Sequence, residues 1–284
     1  MDTNAGESSV PQQGGPPDAG RLRLRAEGVH LSYRRGASTE PFVAVDGVDL
    51  EVAEGEFVSI VGPSGCGKTT FLNAVAGLVR ISGGTLELDG SDVTGPGRDR
   101  AMVFQQPRLL PWRSLLHNVT YGLEVGRGRR RAEAREIGRK YLALVGLEAF
   151  EHAYPRQLSG GMQQRANLAR ALATDPTMLL LDEPFASLDA LTREFMQVEL
   201  LRIWRQSQKT TLFVTHDIKE SIYLADRVVV FTARPGRVRE VIPIPLPRPR
   251  ELRIKRDPSF TRIEDRVWAC IEEESRWAFN QQTA

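Results

Sequence analysis

A glycine-rich loop between a short apolar segment and a helical pattern constrains the fold more than any other feature of this sequence. The loop reads Gly62-Pro-Ser-Gly-Cys-Gly-Lys-Thr-Thr70, follows the apolar run Glu56–Val61 and leads into a helix predicted over Lys68–Leu78. In this setting the spacing G-x-x-x-x-G-K-[ST] is typical of a loop that binds phosphate through backbone N–H groups and a helix N-terminus. The sequence therefore predicts a strand–loop–helix unit that binds a nucleotide.

Apolar strand patterns alternate with helical patterns in the second half of the chain. Strands are predicted over Met178–Leu181, Thr210–Thr215 and Arg227–Phe231, and helices over 190–206 and 217–225. Such alternation indicates a parallel sheet with helices on both faces. Period-two patterns over Leu22–Tyr33 and Phe42–Val52 predict two earlier strands, while about 106–160 is mostly helical. The predicted fold class is α/β: a P-loop NTPase core with a mostly parallel sheet, an N-terminal antiparallel β subdomain and an inserted α-helical subdomain.

The ends of the chain differ in composition from this core. Residues 1–21 are polar and rich in glycine and proline, and we expect a disordered N-terminal tail. Residues 241–284 form a C-terminal extension that begins with a proline- and arginine-rich stretch. Apolar residues then recur at helical spacing, which predicts an amphipathic helix that packs on the core: Phe260, Ile263, Val267 and Ile271. Residues 22–240 are predicted to form the nucleotide-binding domain.

Composition limits the class of protein. The 284 residues carry a formal net charge of +2, which is too small to indicate nucleic-acid binding. Apolar runs such as Met178–Leu181 are too short to span a bilayer, and the N-terminus lacks the basic and apolar regions of a signal peptide. Two cysteines, Cys66 and Cys270, provide no disulfide framework and fit a reducing cytosol. We therefore expect any association with a membrane to depend on a partner.

A pair of carboxylates follows the strand predicted at Met178–Leu181. Asp182 and Glu183 alone would also fit an ordinary solvated strand end. In a chain with a phosphate-binding loop, such a strand can bring one carboxylate to Mg²⁺ and the other to the attacking water. Lys68 of the loop would reach the β- and γ-phosphates, and the Thr69 hydroxyl would bind Mg²⁺. Because a glutamate base needs no covalent intermediate, we expect direct hydrolysis by water.

A second helix start has the features of an anion site. The segment Leu158-Ser-Gly-Gly-Met-Gln-Gln-Arg165 opens a helix predicted to run to Ala173, with a hydroxyl and free N–H groups at its N-terminus. An N-cap serine followed by a glycine turn would explain the same residues. One nucleotide does not need two phosphate sites in one chain, so we interpret the segment as serving the nucleotide of a second subunit.

The segment AMVFQQPRLLPWR, residues 101–113, runs from a predicted strand into two glutamines and then into apolar residues. We interpret Gln106 as a spacer at the start of a solvated loop. Such a loop would leave an exposed apolar patch formed by Leu109, Leu110, Pro111 and Trp112. Exposed apolar patches are typical of interfaces, so we expect this one to face a partner.

In their order along the chain, these motifs resemble those of the nucleotide-binding subunit of ATP-binding cassette (ABC) transporters. The series comprises the phosphate-binding loop, a glutamine after a strand, LSGGMQQR, LLLDEP, Ser187-Leu-Asp189 and a histidine in VTHD, and covers roughly residues 23–240. The resemblance implies an ATPase that binds ATP and Mg²⁺ and hydrolyses ATP to ADP and phosphate. Two copies would lie head to tail around two ATP molecules and drive membrane subunits.

The resemblance also implies roles for individual residues. Tyr33 would stack on the adenine ring, although an ordinary strand aromatic is the alternative. Glu183 would be the general base, and His216, which alone could be a surface histidine, would contact the γ-phosphate. Gln105 would sense Mg²⁺ and the attacking water, and Asp182 would support the metal together with Thr69. The phosphates and Mg²⁺ would be held by the loop residues Gly62, Pro63, Ser64, Gly65, Cys66, Gly67, Lys68, Thr69 and Thr70.

Further roles depend on a dimer or on a helix N-terminus. By the resemblance, Ser159, Gly160 and Gly161 would close on ATP bound to the opposite subunit, and Asp189 would bridge the interface. Cys66 is predicted at a helix N-terminus, which favours a thiolate. We therefore expect alkylation of Cys66 to inhibit the protein and ATP to protect it.

Three stretches are similar to importers for nitrate, sulfonates and taurine: LLPW after the glutamine, VFTARPGRV at 230–238 and RDPSFTRIEDRVW at 256–268. This similarity implies permease subunits that dock near Gln105–Trp112 and a periplasmic or lipoprotein solute-binding protein. The chain would then be peripheral at the cytoplasmic face of the inner membrane.

Three alternatives stay open at this point. They are an importer of an unrelated substrate, a non-transport ABC ATPase of the DNA-repair or translation type, and a regulatory subunit without turnover. The second class usually carries long coiled coils, zinc modules or two cassettes, which this sequence lacks. The presence of Glu183 argues against the third.

Overall fold

The computed structural model describes residues 21–34 and 41–283. Residues 1–20, nearly all of the predicted N-terminal tail, lie outside the described residues. The strands are β1 (Leu22–Arg34), β2 (Pro41–Ala53), β3 (Phe57–Val61), β4 (Gly83–Leu88), β5 (Ser91–Asp92), β6 (Arg100–Val103), β7 (Met178–Asp182), β8 (Thr210–Val214), β9 (Arg227–Phe231) and β10 (Val238–Pro243). The α-helices are α1 (Lys68–Val75), α2 (Leu115–Tyr121), α3 (Arg131–Leu144), α4 (Gly160–Ala173), α5 (Ala190–Ser207), α6 (Ile218–Leu224) and α7 (Pro258–Thr283).

The central sheet has the strand order β10-β9-β3-β8-β7-β6. Neighbours from β9 to β6 run parallel, whereas β10 pairs antiparallel with β9. Along β3, Val58 and Ile60 face one apolar core, while Phe57 and Val61 face another. Burial on both faces explains why β3, β7 and β8 are mostly apolar and do not alternate with exposed polar residues; their few polar residues, such as Ser59 and Thr211, are buried. The prediction of a mostly parallel α/β core is confirmed.

A second sheet is antiparallel and has the order β2-β1-β4-β5. Its inner residues, such as Val29 and Val48, share a core with Phe71 and Leu72 of α1 and with one face of the central sheet. The predicted N-terminal antiparallel β subdomain is therefore present, and β4 and β5 join it from beyond the glycine-rich loop. The sheet sits against α1 and so lies next to the loop that precedes this helix.

Helices α2, α3 and α4 lie in the chain between β6 and β7 and pack on one another. A turn of π-helix, Gly122–Gly126, continues α2. The buried Asn118 of α2 accepts a hydrogen bond from the Leu110 N–H at 2.7 Å. Its amide nitrogen donates to the carbonyl oxygens of Leu110, Arg113 and Ser114 at 3.0–3.1 Å. These bonds attach the loop that follows β6 to α2.

The C-terminal segment packs on the core that contains Phe57. Phe260 and Val267 of α7 are fully buried there, and Ile263 and Ile271 pack against the same core. Within residues 21–34 and 41–283, none of the helices combines the length and the hydropathy needed to span a bilayer.

Candidate nucleotide-binding and hydrolysis site

The glycine-rich loop connects the carboxyl end of the central strand β3 to the start of α1. The Nζ of Lys68 donates to the carbonyl oxygens of Gly62 and Pro63 at 2.8 and 3.0 Å, so the loop wraps around a nearly buried ammonium. Gly67 adopts a φ of 101°, and a Cβ there would lie 2.6 Å from the Ala44 carbonyl oxygen. Only glycine fits this position, because both the left-handed conformation and the close approach exclude a side chain. No side chain caps the start of α1, so the first N–H groups of this helix have no partner within it and face the loop.

A cleft of about 330 Å³ opens at the loop. Its size lies at the lower end of the range of small-molecule sites, about 300–1,000 Å³. The cleft brings Tyr33 together with the loop and with Glu183. Its lining residues are Tyr33, Phe42, Ala44, Ser64, Gly65, Cys66, Gly67, Lys68, Thr69, Thr70 and Glu183.

Phe42 is a cleft residue that the sequence analysis missed. It is the cross-strand neighbour of Tyr33 in the β1–β2 pair, so two aromatic rings stand at the same side of the cleft. The Arg234 guanidinium lies 4.6 Å from the centre of the Phe42 ring. The signal for Phe42 was its place in a predicted strand, but its proximity to Tyr33 depends on the register of the strand pair.

Cys66 lines the cleft, but the prediction of a favoured thiolate is wrong. The side chain is 1% exposed, and burial raises the pKa of the Cys66 thiol despite the nearby Lys68 charge. The Lys68 Nζ lies 3.7 Å from the sulfur, and it donates its shorter hydrogen bonds to the carbonyl oxygens of Gly62 and Pro63. Desolvation therefore outweighs the helix N-terminus at this position.

Asp182 at the end of β7 contacts Thr69 at the start of α1. The Thr69 hydroxyl donates to Asp182 Oδ1 at 2.9 Å. Burial, and secondarily the charge of Glu183, raise the pKa of Asp182, which the hydrogen bond from Thr69 partly offsets. A hydroxyl and a buried carboxylate side by side are the oxygen donors that Mg²⁺ prefers, and a cation would offset the cost of the buried charge. The pair therefore fits a magnesium site.

Glu183 adopts a φ of 42°, a left-handed conformation that is strained for a residue with a side chain. Its N–H donates to the Val214 carbonyl oxygen of the neighbouring strand β8 at 2.9 Å, which holds the backbone in place. Its Oε2 lies 3.0 Å from Nδ1 of His216, the second residue after β8. The strained turn thus holds the carboxylate at the cleft and in contact with the histidine.

Gln105 is exposed, lies two residues after the end of β6 and does not line the cleft. The predicted apolar patch beyond it is wrong for Leu109, which is 8% exposed and belongs to the core. Leu110 is half-buried, whereas Pro111 and Trp112 are exposed, Trp112 to 72%. The apolar surface at this loop is therefore smaller than predicted and centres on Trp112.

The LSGG segment and Asp189 lie outside the cleft and next to each other. Ser159 caps α4 by accepting a hydrogen bond from Met162 N–H, and Asp189 caps α5 by accepting one from Thr192 N–H. That bond lowers the pKa of Asp189. A Cβ on Gly161 would lie 3.1 Å from the Thr192 methyl, so the starts of α4 and α5 touch. Ser159, Gly160 and Asp189 are exposed.

Comparison with known proteins identifies the family. The family model for ABC transporters matches residues 45–186, from β2 through the Asp182-Glu183 pair. An uncharacterized ABC transporter ATP-binding protein of Methanocaldococcus jannaschii is 57% identical over 208 residues, which is 73% of this chain and 78% of that protein. This chain belongs to the ABC transporter family. It is an ABC ATPase, a protein that binds and hydrolyses ATP.

Two curated relatives of the cassette have names that state a transported solute. The nitrate import ATP-binding protein NrtD of Synechococcus elongatus is 42% identical over 257 residues, covering 89% of this chain and 92% of NrtD. The bicarbonate transport ATP-binding protein CmpD of the same species is 47% identical over 223 residues, covering 78% of this chain and 80% of CmpD.

Among solved structures, the cassette is similar to the ATP-binding cassette MJ0796 in a dimeric, post-hydrolysis state bound to ADP and Pi. The TM-score is 0.68 and the identity 34%, with 78% of this chain and 98% of the other covered.

Proposed function

We propose that this cassette is the energy-coupling subunit of an importer for nitrate, a sulfonate, taurine or a related small anion or organic solute, such as bicarbonate. The similarity to NrtD over 89% of the chain, and to CmpD, supports this substrate class. The observation that supports ATP hydrolysis is that the carboxyl ends of β3, β7 and β8 lie together. There Thr69 contacts Asp182, and Glu183 contacts His216.

ATP lies in the cleft with its adenine against Tyr33 and Phe42 and its phosphates at the glycine-rich loop. The N–H groups at the start of α1 and the Lys68 ammonium face the β- and γ-phosphates. Since two loop carbonyls already hold this ammonium, Lys68 needs little ordering when ATP binds.

Thr69 and Asp182 would hold Mg²⁺, and Gln105, which follows β6, would be a further ligand. When bound, Mg²⁺ neutralises charge on the phosphate oxygens. Glu183 accepts the proton of the attacking water. His216 orients the Glu183 carboxylate through its Nδ1 and contacts the γ-phosphate.

Two copies form a head-to-tail dimer around two ATP molecules. Ser159, Gly160 and Gly161 are exposed or half-buried and are separate from the cleft of their own chain, which supports their use on the ATP of a second copy. Asp189 lies beside them and bridges the interface. The dimeric state of the similar MJ0796 cassette agrees with this arrangement.

Permease subunits dock at the exposed Trp112. An open cavity of about 290 Å³ adjoins this side chain and is lined by Arg113, Arg131, Arg135 and Tyr154 among others. An aromatic ring beside arginines is the composition of many protein interfaces. The cassette is then peripheral at the cytoplasmic face of the membrane, in a complex that includes a solute-binding protein.

The proposal is tested with the full chain reconstituted with its permease subunits in vesicles that contain ATP, with the solute-binding protein added outside. We expect nitrate or a related anion to stimulate ATP hydrolysis and to be taken up. Glu183→Gln should lower both rates by at least about 10²-fold, because the base is lost, while ATP still binds. The control is Glu199→Gln, a half-buried glutamate outside the cleft that is paired with Arg202. Hydrolysis by Glu183→Gln at the wild-type rate would contradict the assignment of the base. If none of the proposed solutes is taken up, the proposed substrate class is contradicted.

A further inference from the structure

Glu220 of α6 is a buried carboxylate that the proposed hydrolysis does not use. Its side chain is 3% exposed. Its Oε2 accepts a hydrogen bond from the Thr215 hydroxyl, and its Oε1 accepts one from Gln197 Nε2 at 3.1 Å. Burial raises the pKa of Glu220 to about 7, although both of these bonds favour the ionised form. Burial of a carboxylate costs free energy, and this one is aimed at the turn that carries His216.

The turn is held on both sides of His216. Before it, the Thr215 N–H donates to the Ile60 carbonyl oxygen of β3 at 3.2 Å. After it, the Asp217 N–H donates to the Thr215 hydroxyl oxygen at 3.1 Å, and Asp217 Oδ1 accepts from the Glu220 N–H at 3.0 Å. The Thr215 hydroxyl can donate only one hydrogen bond, and that bond goes to Glu220. The direction of the hydrogen bond from Thr215 to Glu220 therefore fixes the geometry of the turn.

The same network reaches two other parts of the molecule. Gln197 of α5, which donates to Glu220, accepts from Lys255 Nζ at 2.8 Å, and Lys255 lies in the segment that leads to α7. Arg193 of α5 lies 3.7 Å from Asp217 and donates to the Leu188 carbonyl oxygen at 3.0 Å. The turn is thus attached to α5 at two points, so its position depends on the packed interior rather than on loop conformation alone.

We propose that Glu220 is a positioning residue for ATP hydrolysis, which fixes the turn from Thr215 to Asp217 so that His216 meets Glu183 and the γ-phosphate. The inference rests on the role proposed above for His216. A displacement of a catalytic group by 1 Å can lower a rate by about 10²-fold, so small shifts of this turn matter. A residue that only stabilised α6 would change the free energy of unfolding and leave the rate per folded molecule unchanged.

The test uses the full chain and steady-state ATP hydrolysis. Thr215→Val keeps the shape of the side chain but removes the hydroxyl, and Glu220→Gln keeps the shape but removes the charge. Each should lower kcat about tenfold and leave KM for ATP nearly unchanged, because the turn loses its orientation while the cleft stays intact. Thr215→Ser restores the hydroxyl and should restore most of kcat. Glu194→Gln, which removes the carboxylate bound to Lys255 but leaves Glu220 in place, is the matched control and should leave kcat unchanged.

A double-mutant cycle separates this inference from the proposed function. If Glu220 acts through His216, Glu220→Gln should cost nothing further in a His216→Ala chain, so that the two changes are not additive. Thermal unfolding of each variant shows that the rates refer to folded protein.

The outcomes are distinct. If His216→Ala hydrolyses ATP as fast as the wild type, both the role of His216 and the inference are overturned. If His216→Ala is impaired and Glu220→Gln keeps its full effect in that background, only the inference is overturned. Equal rates for Thr215→Val and Thr215→Ser would also overturn it.

Discussion

The starts of α1 and α4 have similar local chemistry but different surroundings. Both helices start at glycines, Gly67 just before α1 and Gly160 and Gly161 in the first turn of α4, and both present free N–H groups. At α1 the loop encloses the Lys68 ammonium and opens into a cleft that two aromatic rings complete. At α4 the first turn is exposed and capped by its own Ser159, and its immediate neighbour is the start of α5. The start of α1 thus has a cleft supplied by other elements of the same chain, whereas in the proposed dimer a second copy supplies the rest of the cleft at the start of α4.

The largest effect in this comparison is expected from Lys68→Met. Without the ammonium, ATP affinity and hydrolysis should fall by at least about 10²-fold, because the phosphates lose a charged donor. The carbonyl oxygens of Gly62 and Pro63 also lose their partner, which should lower thermal stability. Binding is measured by titration with a fluorescent ATP analogue. The control is Lys209→Met, a lysine paired with Asp175; equal affinity in both variants would place the phosphates elsewhere.

An intermediate effect is expected from Ser159→Arg. A long side chain at the start of α4 should obstruct the ATP of a second copy, so hydrolysis should fall about tenfold or more while ATP binding to the monomer is unchanged. Ser159→Ala is the comparison: it loses the hydroxyl and the helix cap, at a cost of about 1 kcal/mol of stability, but leaves room for the second copy, so its hydrolysis should fall less than that of Ser159→Arg. A parallel loss of ATP binding to the Ser159→Arg monomer would mean that both helix starts serve the same nucleotide.

The smallest effect concerns the environment of Cys66 beside the start of α1. Because burial hides the thiol and raises its pKa, iodoacetamide should modify Cys66 at least about tenfold more slowly than an unfolded reference at the same pH. Modification should accelerate as the pH rises, and ATP should slow it further, since Cys66 lines the cleft. Labelling is followed by mass spectrometry in a Cys270→Ser chain, with the same chain in urea as reference. Equal alkylation rates in the folded and unfolded chains would contradict the burial of the Cys66 side chain.

The features that sequence predicted well are those that depend on local pattern. The loop between β3 and α1 has a fixed spacing, and the buried strands are mostly apolar, so the positions of these elements along the chain follow from short-range signals. The Asp182-Glu183 pair was found for the same reason, since it directly follows such a strand. The order of the strands within the sheet was not predicted. The residue roles assigned within the cleft stay predictions until variants are measured.

The features that sequence missed depend on contacts between distant segments. Phe42 reaches the cleft only through the register of the β1–β2 pair. Leu109 is buried because Asn118 attaches its loop to α2, which no periodicity in the loop indicates. Glu220 gave no motif, because its partners Thr215 and Gln197 come together only when α5 and α6 pack on β8.

The bonds of Asn118 give the exposed Trp112 a mechanical property. The loop on both sides of Trp112 is attached to one buried amide, through Leu110 on one side and Arg113 and Ser114 on the other. A force applied to the indole ring is therefore carried into α2 and the helices packed on it, rather than absorbed by bending of a loose connection. Trp112 is therefore rigidly connected to helices α2, α3 and α4.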